Sequence, residues 1–270
     1  MTSRPRVLVT NDDGIESTGL RTLARCLSED FEVIVAAPAE DMSGTGTGIG
    51  RFDHSAGVEL TPIDLDYADQ SFSVDGPPGL AVTAAALGAF GDMPDLVFSG
   101  INAGINTGHS IIHSGTVGAV LTARTFSMRG VAISLGQSDP WQWDTAAHYA
   151  PAVARWMCHR KEGPDVLNVN VPGRLIDDVK GVHWADLDEF GYFRVATADP
   201  EAGRLQFVVG PSIERSDPAS DTVLCDDGYV TLTPLRTVEP APFPRVDARE
   251  VVDQTVEVSG PVDRGYGAQG

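Results

Sequence analysis

Val7-Leu8-Val9-Thr10-Asn11-Asp12-Asp13-Gly14 is the stretch whose reading decides the fold. A short β-branched, apolar run stops at two adjacent carboxylates and a glycine. Such a run fits a parallel strand buried on both faces. The carboxylates then fall just past its carboxyl end, where open α/β sheets bind their ligands. Two unit charges about 4 Å apart repel by roughly 4 kcal/mol at an effective dielectric near 20. A divalent cation between them would turn that repulsion into affinity. The competing reading makes one Asp the cap of the next helix, with Gly14 supplying the turn.

Working outward, strand and helix alternate. Residues 18–29 carry Leu20, Leu23, Ala24 and Leu27 at helical spacing. Residues 31–38 read as a second strand ended by Pro38, followed by the loop Asp41-Met42-Ser43-Gly44-Thr45-Gly46-Thr47-Gly48-Ile49-Gly50. Its alternate glycines could turn backbone N–H groups toward an anion. Residues 58–62 and 71–74 form short strands, and an alanine-rich helix covers 80–90. Residues 95–99 are a buried strand opening into the glycine- and asparagine-rich run 100–108. That run continues through His109 and His113 to Ser114-Gly115-Thr116, which starts a helix ending near Phe126. Free N–H groups and the positive end of the helix dipole make such a start a ready anion site. A strand over 130–136, an amphipathic helix over 144–159 and a strand over 166–172 complete the pattern.

The expected fold class is therefore α/β, a Rossmann-like, doubly wound, mostly parallel sheet. The expected domains are a catalytic core over 1–172 and a β-rich region over 173–270 with oligomerisation arms. In the latter, proline and glycine become frequent, helices are hard to find, and short strands fall near 206–209 and 229–234. The glycine-rich end, 259–270, is expected to fray.

Composition excludes several classes. The net charge of −19, from 19 basic and 38 acidic residues, leaves no basic footprint for a nucleic-acid duplex or a membrane surface. An anionic substrate must then find a local positive feature, such as a metal ion or a helix N-terminus. No apolar run approaches the roughly 20 residues of a membrane span. Met1-Thr2-Ser3-Arg4-Pro5 lacks the apolar core of a signal peptide. Cys26, Cys158 and Cys225 are odd in number and without CxxC spacing, which favours a reducing cytoplasm over disulfides or a thiolate metal site.

Loops that follow parallel strands emerge at one edge of the sheet. Those around Asp12-Asp13, around Ser43 and over 102–116 can thus converge, supplying two carboxylates, a hydroxyl and an amide carbonyl. Magnesium or manganese prefers such hard oxygen donors.

These residues carry a resemblance. The chain resembles the SurE family, metal-dependent nucleotidases also called stationary-phase survival proteins. The matching motifs are Val9-Thr10-Asn11-Asp12-Asp13-Gly14-Ile15, Ser43-Gly44, Ser99-Gly100-Ile101-Asn102-Ala103-Gly104-Ile105-Asn106-Thr107-Gly108 and Ser114-Gly115-Thr116-Val117-Gly118-Ala119. Asn168-Val169-Asn170-Val171-Pro172, Asp221 and the run 228–235 extend it. The resemblance implies a Rossmann-like core with an interlocked C-terminal region in a homodimer, often a tetramer. It implies one divalent ion, Mg2+ or Mn2+, held by Asp12, Asp13, Ser43 and Asn102. It also implies hydrolysis of phosphomonoesters, commonly nucleoside 5′- or 3′-monophosphates. On that mechanism Asn106, Ser114, Gly115 and Thr116 cradle phosphate oxygens. Asp12 and Asp13 are the catalytic candidates, and the nucleophile is either metal-bound water or one of their carboxylates.

Departures from the family pattern bear on the leaving group. Gly76-Pro77-Pro78-Gly79-Leu80-Ala81 lacks the usual threonine, acid and cysteine, and His113 stands where an aromatic residue usually precedes the Ser-Gly-Thr motif. His109 or His113 could protonate a departing alkoxide, or simply be solvated. Trp141, Trp143 and Trp156 could stack a base but fit core packing better. Cys26 reads as core, and Asp186, Asp188 and Glu189 as a solvated loop rather than a second ion site.

Alternatives from other classes stay open. One is a phosphatase for a sugar phosphate or biosynthetic intermediate, and another a catalytically silent metal or nucleotide sensor. A receiver-type signalling domain is about half this length. A dinucleotide-binding oxidoreductase would need GxGxxG where Asp12-Asp13-Gly14 stands.

Overall fold

The computed structural model describes residues 4–51, 57–160, 162–163, 165–189, 193–199, 204–209 and 217–238. The chain divides into two compact units, Met1–Thr237 and Val238–Gly270. Only Val238 of the second is described, so the expected fraying over 259–270 lies outside the described residues.

The first unit is built on a nine-stranded sheet. The strands are β1 (Arg6–Thr10), β2 (Glu32–Pro38), β3 (Leu60–Pro62), β4 (Gln70–Val74), β5 (Leu96–Ala103), β6 (Arg129–Leu135), β7 (Val166–Val171), β8 (Val182–Trp184) and β11 (Val230–Leu235), in the order β3-β4-β2-β1-β5-β6-β7-β11-β8. From β4 to β7 every pairing is parallel; β3 and β11 run antiparallel to their neighbours β4 and β7. The expected mostly parallel α/β sheet is what forms. Strands β9 (Phe193–Asp199) and β10 (Arg204–Val209) make a separate antiparallel pair.

Helices cover both faces. Helix α1 (Thr18–Leu27) and α4 (Trp143–His159) pack with Val7, Val9, Val33, Val35, Phe98, Val131 and Val169. Helix α2 (Pro78–Ala86) and α3 (Gly115–Thr125) cover the other face, with Leu8, Ile34, Val97, Ala132 and Val166. Alternate residues of each strand feed opposite cores, as the two-residue side-chain period demands. Both faces are apolar, which is why β1 reads as an unbroken hydrophobic run.

The chain leaves β1 for β2 on one side and returns to β5 on the other. The carboxyl ends of β1 and β5 therefore flank the topological switch point, where such sheets open a crevice. The elements differ in detail from the sequence expectation, α2 for instance starting at Pro78 and stopping at Ala86 instead of covering 80–90. Strand β5 runs on to Ala103, so Asn102 is a strand residue beyond an irregularity in the pairing with β6. Gly100 makes this possible: at φ 137° a Cβ there would lie 2.2 Å from the Ile133 carbonyl oxygen. The region beyond 172 also contains a helix, α5 (Asp221–Asp227), too short to show a periodicity.

Candidate active site

The residues around Asp12 are fixed by their neighbours along the chain. Helix α1 is capped by Ser17, whose hydroxyl accepts from Leu20 N–H at 3.3 Å, and Asn11 donates to the same hydroxyl at 2.6 Å. Neither aspartate caps this helix, so the capping reading of Asp12-Asp13 is set aside. Gly14 turns the chain at φ 97°, and Ile15 N–H returns to the Pro38 carbonyl at 2.8 Å.

Three separate segments close on the two acids. Met42 N–H donates to the Asp12 carbonyl at 2.7 Å, bringing up the loop that carries Ser43. The Ala103 N–H interacts with the Asp13 carboxyl from the end of β5. The Thr116 hydroxyl donates to Asp12 Oδ1, and the backbone N–H groups of Gly115 and Thr116 face the same carboxylate. Gly115 permits that approach, since a Cβ there would lie 2.7 Å from Asp12 Oδ2. Helix α3 thus aims its positive end at Asp12.

Electrostatics at this point are strained in the way a cation would relieve. Burial pushes the Asp12 carboxyl upward, against the pull of Thr116 and the α3 backbone. Asp13 is raised to about 6 by burial first, then by the charges of Asp12 and Asp41. Asp41 is held below its ordinary value by the Ser43 hydroxyl and N–H, which donate at 2.6 and 2.8 Å. Ser43 itself is exposed. Asn102 spends its Nδ2 on the Gly104 carbonyl at 2.7 Å, so the oxygen is the atom it can offer. The donor set is two carboxylates, a hydroxyl and an amide. Among the described residues no group of three or more His, Cys, Asp or Glu is arranged to hold a metal.

The phosphate candidates divide. Ser114 caps α3, accepting from Val117 N–H at 3.2 Å, which leaves its own hydrogen to donate. Thr116 has already given its hydroxyl to Asp12. Asn106 lies at the carboxyl end of β6, its Nδ2 on Ser134 Oγ at 2.9 Å. His109 and His113 are exposed on a 3-10 turn, Gly108–His113, and Gly46 N–H bonds the His113 carbonyl at 3.2 Å.

Sequence reasoning missed what holds the 106–109 segment. Asn168 and Asn170 on β7 bond the Asn106 backbone, and the Asp221 carboxylate accepts from the N–H groups of Gly108, Asp188 and Thr222. The available signal was two asparagines on one face of an otherwise apolar strand.

Other candidates sort as follows. Asp188 is buried and accepts from Ser220 Oγ at 2.9 Å, so the solvated-loop reading holds for Asp186 and Glu189 but not for Asp188. Trp141 and Trp143 stack at 5.2 Å against the core, while Trp156 is exposed beside Trp184. Cys26 packs against the core, and burial pushes its thiol up to about 12.

A model of the family "Survival protein SurE" matches residues 7–193. The chain belongs to the SurE family. It is 35% identical over 236 residues to the 5′-nucleotidase SurE of Halorhodospira halophila, covering 85% of this chain and 91% of that protein. It is 32% identical over 242 residues to the 5′/3′-nucleotidase SurE of Shigella dysenteriae, covering 86% and 90%. The crystal structure of the SurE protein from Aquifex aeolicus superposes with a TM-score of 0.71 at 28% identity, over 86% of this chain and 93% of that one. Asp12 and Asp13 fall inside the matched region, at the rim where the three segments meet.

Proposed function

We propose that this SurE-family chain is a divalent-metal-dependent phosphomonoesterase that hydrolyses nucleoside 5′- or 3′-monophosphates. The observation that carries the reading is the meeting of Asp12, Asp13 and the first turn of α3 at the switch point of the sheet. The relatives named 5′-nucleotidase support the substrate class.

Asp12, Asp13, Ser43 and Asn102 would hold one Mg2+ or Mn2+ ion, a hard cation suited to their oxygen atoms. When bound, such an ion supplies Lewis acidity and charge neutralisation to a phosphoryl oxygen. Ser114 and Asn106 orient the remaining phosphoryl oxygens with neutral donors, a gentler attraction than a lysine in a chain of net charge −19. The Asp12 carboxylate is engaged by Thr116 and the α3 backbone, which makes it a poor nucleophile. Between the Asp13 carboxylate and water, water is preferred, because a carboxylate committed to an ion is the poorer nucleophile. His109 or His113, whose imidazoles are exposed, would protonate the departing alkoxide.

In this reading the protein works as a homodimer in the cytoplasm, with a tetramer as the alternative assembly, and residues 173–270 supply the oligomerisation arms. No described helix is long and apolar enough to cross a membrane. Light scattering of purified protein distinguishes the assemblies.

The test is release of inorganic phosphate from p-nitrophenyl phosphate and from a nucleotide panel, with Mg2+, Mn2+ or EDTA. Metal-stimulated release that is abolished in Asp12→Asn and Asp13→Asn, both still folded, is expected. Absence of metal-stimulated release from any substrate overturns the reading.

A further inference from the structure

Strand β7 carries a polar patch that its own folding does not require. Its backbone is already paired on both sides, by β6 and by β11. Val166, on the same face, packs into the core formed with α2 and α3. Asn168 and Asn170 follow it at two-residue spacing, fully buried, where two more valines would have filled the layer. Burying amides costs free energy unless they are hydrogen-bonded. Asn168 Oδ1 is in fact left without a partner, as are the hydroxyls of Thr231 and Thr233 on β11, which stand opposite Asn170 and Asn168.

What the two amides reach is one residue, 62 and 64 positions earlier. Asn170 Oδ1 accepts from the Asn106 N–H at 2.8 Å, and Asn170 Nδ2 donates to the Asn106 carbonyl at 2.8 Å. The side chain thus pairs with the Asn106 peptide groups as a neighbouring strand would. Asn168 Nδ2 donates to the same carbonyl at 2.8 Å, filling its second lone pair. From β6, Ser134 takes the Asn106 side-chain Nδ2 at 2.9 Å. Both the backbone and the amide of Asn106 are therefore fixed by strands, although the residue lies in a loop.

We propose that Asn168 and Asn170 are positioning residues, which hold Asn106 so that its side-chain amide meets the phosphoryl group opposite the first turn of α3. The inference rests on the phosphatase reading above for the role of Asn106 itself. A loop alone would let that amide wander, and displacing a substrate-orienting group by about 1 Å costs on the order of a hundredfold in rate. Bonds to two adjacent strands remove that freedom before substrate arrives.

The experiment compares wild type with Asn106→Ala, Asn170→Ala, Asn170→Asp and the double variant Asn106→Ala/Asn170→Ala. It measures kcat/KM for p-nitrophenyl phosphate, metal affinity, thermal midpoint and amide hydrogen exchange over 104–109. Asn170→Ala is expected to lower kcat/KM about 10–100-fold, raise exchange at Asn106 and leave metal affinity unchanged. The double variant should lose no more than Asn106→Ala alone, because both act through one contact. In Asn170→Asp the introduced carboxyl reproduces both bonds only when protonated, so activity relative to wild type should rise as pH falls.

The proposal is overturned by an Asn170→Ala enzyme within threefold of wild type. Losses that multiply in the double variant, or an Asn170→Asp ratio flat with pH, overturn it equally. Wild-type protein that releases no phosphate would instead sink the phosphatase reading. The exchange measurement would then still decide whether the β7 amides hold Asn106.

Discussion

Thr116 donates its hydroxyl hydrogen bond to Asp12 across 104 residues of chain. The contact joins the carboxyl end of β1 to the first turn of α3, and it is buried, with Asp12 only 3% exposed. Removing it by Thr116→Val leaves the carboxylate with the α3 backbone donors alone. A hydrogen bond to a charged group contributes about 1.5–3 kcal/mol. We expect a thermal midpoint lowered by several degrees, together with weaker metal binding, checked by calorimetry in EDTA and in Mn2+. An unchanged midpoint would remove the contact from the stability of the site.

Gly118 lies against the glycine-rich loop, and a Cβ there would stand 1.9 Å from the Gly46 carbonyl oxygen. The clash is with backbone, so the loop that carries Ser43 must move. Gly118→Ala should therefore reduce kcat/KM by at least about tenfold while the sheet stays intact. Steady-state kinetics beside circular dichroism make the comparison.

Asp13, raised from its ordinary 3.8 to about 6, binds a proton more tightly in the fold than in the unfolded chain. Its contribution to metal-free stability is thus fully present below pH 3.8 and is lost as pH rises through about 6. In EDTA the protein should gain stability from this group on going from pH 7 to pH 5, and Asp13→Asn should remove that gain. Metal binding has the opposite sign, because the ion needs the deprotonated carboxylate. Affinity should fall by about tenfold per unit below pH 6 if this group dominates, measured by isothermal titration with Mn2+.

The Asp221 carboxylate, raised to about 6 by burial against the pull of its N–H donors, accepts from Gly108, Asp188 and Thr222. Asp221→Asn sets an amide donor among N–H groups that need an acceptor. An unsatisfied buried donor costs about 1–3 kcal/mol, so a thermal midpoint lower by about 5–10 °C is expected. Faster exchange at Gly108, with kcat lowered as the 3-10 turn loosens, would accompany it. A midpoint equal to wild type would show that the carboxylate does not hold this turn.

Local chemistry made much of this legible. The fully buried stretches of β1 and β2, residues 7–9 and 33–37, show as unbroken apolar runs, and α1 shows as a stripe of Leu20, Leu23, Ala24 and Leu27. The adjacency of Asp12 and Asp13 marks a site because two carboxylates beside an apolar strand are costly without a purpose. Partners were less legible. Ser17, not an aspartate, caps α1, and a hydroxyl four or five positions further on is invisible to the Asp-Asp-Gly pattern. Asp188 looked solvated among acidic neighbours, but the turn that buries it is made with Ser220 and Asp221, more than thirty residues away.

By itself the sequence determined the alternation of strands and helices, the resemblance to the SurE family, and the candidate donors at the strand ends. Hydrophobic period and loop chemistry are properties of neighbouring residues, so they can be read without the fold. Only the tertiary structure decided that Thr116 serves Asp12, and that Asn168 and Asn170 grip Asn106. Those pairings depend on strand order, which sets β7 two strands from β5 and brings residues 62 to 104 positions apart within hydrogen-bond reach.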